Sequence, residues 1–156
     1  MRLTIWILVF LVLGATSRIH AEKAKSTAEP LNPVTHKLFI DPSTTPVPWG
    51  KARLIVSPLM RRNGNYAGEY QLKVRPYFYK NETGGLVLEV SEDAVGKLQA
   101  GRPIDFTGKA LTHEDGTSHV VLGRATPSSN DRGSVTFFIV TKNGKFIFNT
   151  SYHFGT

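Results

Sequence analysis

The sequence predicts an all-β, mostly antiparallel domain with one short helix, arranged as a small β-sandwich or an OB-like barrel. Three observations predict it. Apolar and polar residues alternate with period two through much of residues 51–156, the pattern of half-buried strands. Asn-Gly or Asp-Gly pairs interrupt the alternation at 63–64, 115–116 and 143–144, and such pairs supply the positive φ angles of tight hairpin turns. One segment, beginning at Ser91, has helical spacing with start and stop residues at its ends. The OB comparison rests on element order alone.

The chain opens with Met1-Arg2, an apolar run from Leu3 to Leu13, then Gly14 and small residues. This charged, apolar and small-residue order is that of a secretory signal, predicted over 1–21 with cleavage after Ser17 or after Ala21. A spanning helix needs about 20 apolar residues, and Gly14 and Arg18 interrupt this one. The expectation is therefore an extracytoplasmic protein, periplasmic or secreted, with no stable membrane span after cleavage. An uncleaved N-terminal anchor is the alternative.

Residues 22–50 read as a Pro-rich linker, with Pro30, Pro33, Pro42, Pro46 and Pro48 disfavouring continuous helix. His36 to Ile40 is a candidate short strand within it. From 51 to 156 a single β-rich domain is expected. Ala52 to Val56 forms a strand that turns at Asn63-Gly64. From Glu69 to Tyr79, Tyr70, Leu72, Val74, Pro76 and Phe78 alternate with Gln71, Lys73, Arg75, Tyr77 and Tyr79, so one strand is expected, with Pro76 at an edge or bulge. Leu86 to Val90 returns. The helix starts with Ser91 as cap and Glu92 and Asp93 in its first turn. Ala94, Val95 and Leu98 form its apolar stripe, and Gly101 and Pro103 end it.

Two hairpins follow. Across Asp115-Gly116, Leu111 is expected opposite Val120, His113 opposite Ser118, His119 opposite Thr112, and Gly108 opposite Gly123, marking a bend or a close backbone approach. Across Asn143-Gly144, Lys142 faces Lys145, Ile139 faces Phe148 and Val135 faces Tyr152. The core face then holds Val135, Phe137, Ile139, Phe146, Phe148 and Tyr152. Phe138, Val140 and Ile147 lie on the opposite face, expected to be half covered.

Composition bounds the function. The chain carries 19 Lys and Arg against 12 Asp and Glu, a net charge of +7. Losing Arg2 and Arg18 with the signal leaves 17 against 12, or +5, which favours acidic partners. There is no cysteine, which excludes disulfides, thiolate zinc sites, a thiol nucleophile and a lipidated N-terminal Cys.

No cofactor or metal is expected. His113 and His119 point to opposite faces of their hairpin, and a metal site needs several convergent ligands. The preferred function is an exported, non-catalytic β-domain that binds an acidic envelope polymer or a protein partner, with nucleic acid a lesser candidate. Its predicted surface is Lys73, Arg75, Tyr77, Tyr79 and Lys80, cations interleaved with rings that stack. One alternative is a hydrolase acting on envelope glycan or peptide, with acid and base among His113, His119, Asp105, Asp131 and His153. The other is an assembly subunit using a strand edge. Asn81-Glu82-Thr83 and Asn149-Thr150-Ser151 match the N-glycosylation pattern, which discriminates none of these.

Overall fold

Alternation along each strand sorts side chains to two sides of a sheet, and here the sheet closes on itself. The structure, a computed structural model, describes residues 37–141 and 144–155. The expected signal peptide, the linker up to residue 36, and the turn residues Lys142 and Asn143 lie outside the described residues. In chain order the strands are β1 (Lys37–Ile40), β2 (Ser43–Val47), β3 (Gly50–Val56), β4 (Leu59–Arg62), β5 (Asn65–Arg75), β6 (Glu82–Glu89), β7 (Ile104–Thr112), β8 (Ser118–Pro127), β9 (Arg132–Thr141) and β10 (Gly144–Gly155). A helix, α1 (Glu92–Gln99), joins β6 to β7, and a single 3-10 turn, Phe78–Lys80, follows β5.

From β4 to β10 each strand pairs antiparallel with the next. β1 then pairs with β10 on one side and β4 on the other, closing an eight-stranded barrel. Outside this ring, β2 and β3 form a hairpin, with β3 lying along residues 70–75 of β5. Ser57 marks the change from β3 to β4: its N–H donates to the Glu69 carbonyl and its Oγ accepts the Glu69 N–H.

Residues 37–50, read from sequence as the end of a linker with one candidate short strand at His36 to Ile40, run as β1, β2 and the turn into β3. The prolines permit this because β2 is the outermost strand, and Pro46 on an edge strand leaves no ladder bond unmade.

The barrel is filled. Tyr66, Leu88, Val121, Phe137 and Phe148 are almost wholly inaccessible. The interior void measures about 20 Å³ and exposes no polar atom, so it is a dry packing defect rather than a ligand chamber. Helix α1 closes one end, burying Val95 and Leu98. Ser91 Oγ accepts the Ala94 N–H at 3.2 Å. At the other terminus Gly101, at φ +76°, donates to Leu98 and Arg102 donates to Lys97, the paired closure that a left-handed glycine allows.

Both hairpins differ from expectation by two residues. Ile139 pairs with Phe146, Phe137 with Phe148, and Thr141 with Gly144. Leu111 pairs with Ser118, Ala110 with His119, and Gly123 lies opposite Phe106 rather than Gly108. Around Asp115 the cause is visible: its carboxylate accepts from the Thr117 N–H and from the Thr112 and Thr117 hydroxyls, holding a loop longer than a two-residue turn. A shift of two preserves side-chain direction, so the predicted core face stands. Val135, Phe137, Ile139, Phe148 and Tyr152 are buried and Phe146 is partly buried. On the outside, Val140 and Ile147 are exposed, while Lys145 Nζ covers the Phe138 ring at 4.1 Å.

Gly123 shows how tightly the interior is fitted. A Cβ there would stand 2.1 Å from Phe106 Cζ, and Phe106 in turn meets Phe137 edge-on at 5.7 Å. Gly123→Ala should therefore destabilise the barrel by roughly 1–3 kcal/mol, the usual range for overpacking. Urea unfolding of the two proteins measures this, and an unchanged midpoint would contradict the fit described.

Candidate functional site

The barrel end opposite α1 carries two polar features, a basic groove outside and a cleft at the mouth. The groove comes from pairing that brings distant residues together. β3 sets Arg53 opposite Lys73 and Lys51 opposite Arg75, and all four side chains point outward and are exposed. Spacings of about 5 Å between strands and about 7 Å along them place four cations in one small patch. Among the described residues no carboxylate forms an ion pair with any of them. Like charges directly opposite on neighbouring strands are destabilising. The patch walls a groove of about 390 Å³ that also includes Thr44 and Ile55.

Of the predicted surface, Lys73 and Arg75 occupy this groove, but Tyr77, Tyr79 and Lys80 do not continue the strand. β5 ends at Arg75, the Arg75-Pro76 bond is cis, and the chain turns through Phe78–Lys80. Proline has no N–H for the ladder, so alternation beyond it carried no strand. Asn81 holds the turn down, its Oδ1 accepting the Val74 N–H at 2.8 Å. Lys80 Nζ lies over the Trp49 ring at 4.5 Å, and Tyr77 meets Tyr79 edge-on at 5.7 Å. Phe78 and Tyr79 project into solvent, 65% and 79% exposed. The aromatic residues therefore form a knob beside the groove rather than a row along it.

The cleft, about 220 Å³, lies between the start of β6, the end of β7, the start of β8 and the Asp115 loop. His119 lines it from the inward face of β8 and is 5% exposed. Its Nε2 stands 3.2 Å from Glu82 Oε2, but in an orientation that makes no hydrogen bond. Tyr70 Oη is likewise buried without a hydrogen bond. A buried polar group left unsatisfied costs roughly 1–3 kcal/mol, so this cluster is expensive to the fold. The Tyr70 ring fits because residue 84 is glycine: a Cβ there would meet Tyr70 Cε1 at 2.8 Å and the Leu111 carbonyl at 2.0 Å. Burial, then the nearby Glu82 and Asp115 carboxylates, push the Tyr70 phenol up to about 12.

The five residues named for a hydrolase are dispersed. His113 is exposed and reaches Glu69 at 2.7 Å, Asp105 faces Arg124 at 3.6 Å, and Asp131 accepts from Ser129 Oγ at 2.7 Å. His153 stacks on Phe39 with centroids 4.7 Å apart. No hydrogen bond or ion pair joins any two of the five. His153 lines a groove of about 260 Å³ with Asp41 and Arg132, and His119 lies in the mouth cleft beside Glu82, a neighbour that sequence reasoning did not connect with it. A signal was present: His119 shares its alternation phase with Val121 and Ala125, an imidazole where the core face requires an apolar group.

Three inward tyrosines make alkaline stability informative. Burial raises Tyr70 and Tyr152 to about 12 and raises Tyr66 against the opposing Arg61 charge. Unfolded tyrosines ionise near pH 10, so between about pH 10 and 12 the folded state holds more protons and stability falls as pH rises. Below that window these groups add no pH dependence. Urea midpoints measured from about pH 9 to about pH 11.5 should decline above pH 10, less steeply in Tyr70→Phe. A flat profile would contradict the burial assigned to them.

Comparison with family models, curated proteins and solved structures finds no match, so the fold and the two polar features carry the functional argument alone.

Proposed function

We propose that this is an exported, non-catalytic binding domain whose basic groove takes an acidic envelope polymer. The observation that carries the reading is the pair of cross-strand like-charge neighbours, Arg53 with Lys73 and Lys51 with Arg75, with no compensating carboxylate among the described residues. Nothing in the fold needs four cations there, and a bound polyanion would replace their mutual repulsion with attraction. Regularly spaced phosphate, sulfate or carboxylate groups suit a patch about 5 by 7 Å on a strand pair. The neighbouring Phe78 and Tyr79 offer apolar surface to the polymer backbone. Export rests on the N-terminal charged and apolar run.

The test uses inorganic polyphosphate and a sulfated polysaccharide as probes for the purified protein. Binding should weaken with salt, and the log–log slope should flatten by about 0.7–0.9 for each cation–anion pair that a substitution removes, as for nucleic acid phosphates. Lys73→Glu separates function from fold. It should stabilise the barrel by about 0.2–1 kcal/mol through a new pair with Arg53, yet weaken polyanion binding at least tenfold. Equal binding by Lys73→Glu and by alanine at all four positions would overturn the proposal.

The outer face of β8, β9 and β10 favours a second reading, self-assembly. Val120 pairs with Val140 and Leu122 with Phe138, and Ile147 lies opposite Phe138 on the other side, with Val120, Leu122, Val140 and Ile147 all exposed. On this reading sizing shows concentration-dependent association that Val120→Lys abolishes; a strict monomer at all concentrations removes it.

A further inference from the structure

The mouth cleft is acid-lined in a basic chain. Glu82, Glu114 and Asp115 line it, and none of its described lining residues is Lys or Arg, in a chain of net charge +7. The three carboxylates are not equivalent. Asp115 is fully engaged by Thr112 and Thr117, so its role is to hold the loop. Glu82 keeps Oε2 buried and free of hydrogen bonds, and His119 Nε2 and Tyr70 Oη are in the same condition. His119 lines the cleft with only 5% of its surface exposed, and its Nε2, 3.2 Å from Glu82 Oε2 yet without a hydrogen bond, is the independent sign that the site is built for a guest.

We propose that the cleft binds a small organic cation, an ammonium or guanidinium group whose N–H donors reach Glu82 beside His119. Size argues for a small guest. At about 220 Å³ the cleft is below the roughly 300–1,000 Å³ of pockets that hold drug-sized ligands. Donor and acceptor balance argues for a cation. An ionised Glu82 carboxylate only accepts, and ammonium and guanidinium groups only donate. At the rim, the exposed Tyr79 ring provides a face for the same charge. A divalent metal is a poorer occupant, because no three His, Asp or Glu side chains converge among the described residues. The cations of the polymer groove stand on the outside of β3 and β5, so the two sites share only the Tyr79 ring.

Titrating the purified full chain with methylguanidinium and with ethylammonium, while following the His119 imidazole by NMR, tests the assignment. Glycerol and inorganic phosphate serve as neutral and anionic comparators. A saturable shift of the His119 signals is expected with the cations alone. Glu82→Gln should weaken it at least tenfold, and Lys73→Ala should leave it unchanged. Should Glu82→Gln fail to fold, Tyr79→Ala, which alters only an exposed ring, decides the matter by a several-fold loss of affinity. No saturable shift with either cation, an equal response to glycerol or phosphate, or undiminished binding in the folded Glu82→Gln protein would overturn the proposal. With Glu82→Gln unfolded, undiminished binding by Tyr79→Ala would do the same.

Discussion

Closure through β1 is the constraint on which the rest of the structure depends. Four residues, Lys37–Ile40, pair along β10 and reach β4 at Lys37 and Leu38. Without that strand, β4 and β10 would each present an unpaired edge, and the inward faces of eight strands would lose their common interior. A sheet that closes has no such edges to protect. It also forces strict alternation, since each inward position must be filled and each outward one must tolerate water. Phe106 over Gly123 and Tyr70 over Gly84 follow from the same demand: large rings fit only where the facing strand omits a side chain.

This constraint explains which parts were legible in the sequence. Period two reports direction, so the core face of β9 and β10, and the opposed directions of His113 and His119, could be read directly. Register is a different quantity. A slide of two residues leaves every direction intact, so the apolar pattern was silent on it, and the turn chemistry at Asp115 decided it. The helix was readable from end to end because its caps are local. Of the first two strands, β1 was readable as the short apolar stretch His36 to Ile40, whereas β2, rich in Thr and Pro, has little pattern of its own and is defined by its neighbours.

The functional features divide along the same line. Lys73 and Arg75 were visible as cations on one face of a strand, but Lys51 and Arg53 became their partners only through the β3–β5 pairing. Alternation ran on past Pro76 into Tyr77 and Tyr79, where the chain had already left the sheet. In the mouth, His119, Glu82 and Tyr70 arrive from three strands, and no local spacing joins them. β5 itself turns Tyr70 inward and Lys73 and Arg75 outward to the groove.

The pairing of Lys37 with Gly155 has a topological consequence. β10 runs from the mouth toward the α1 end, so the chain enters and leaves the barrel at the same pole, side by side. Whatever is attached at either position hangs from that pole, while the groove and the mouth face the other way. The molecule is therefore oriented like a bulb on its socket, with its polar features presented outward from any attachment. A circular permutant joining 155 to 37 by a short peptide, and opened at the exposed Arg62–Asn65 turn, would keep every strand pair of the ring.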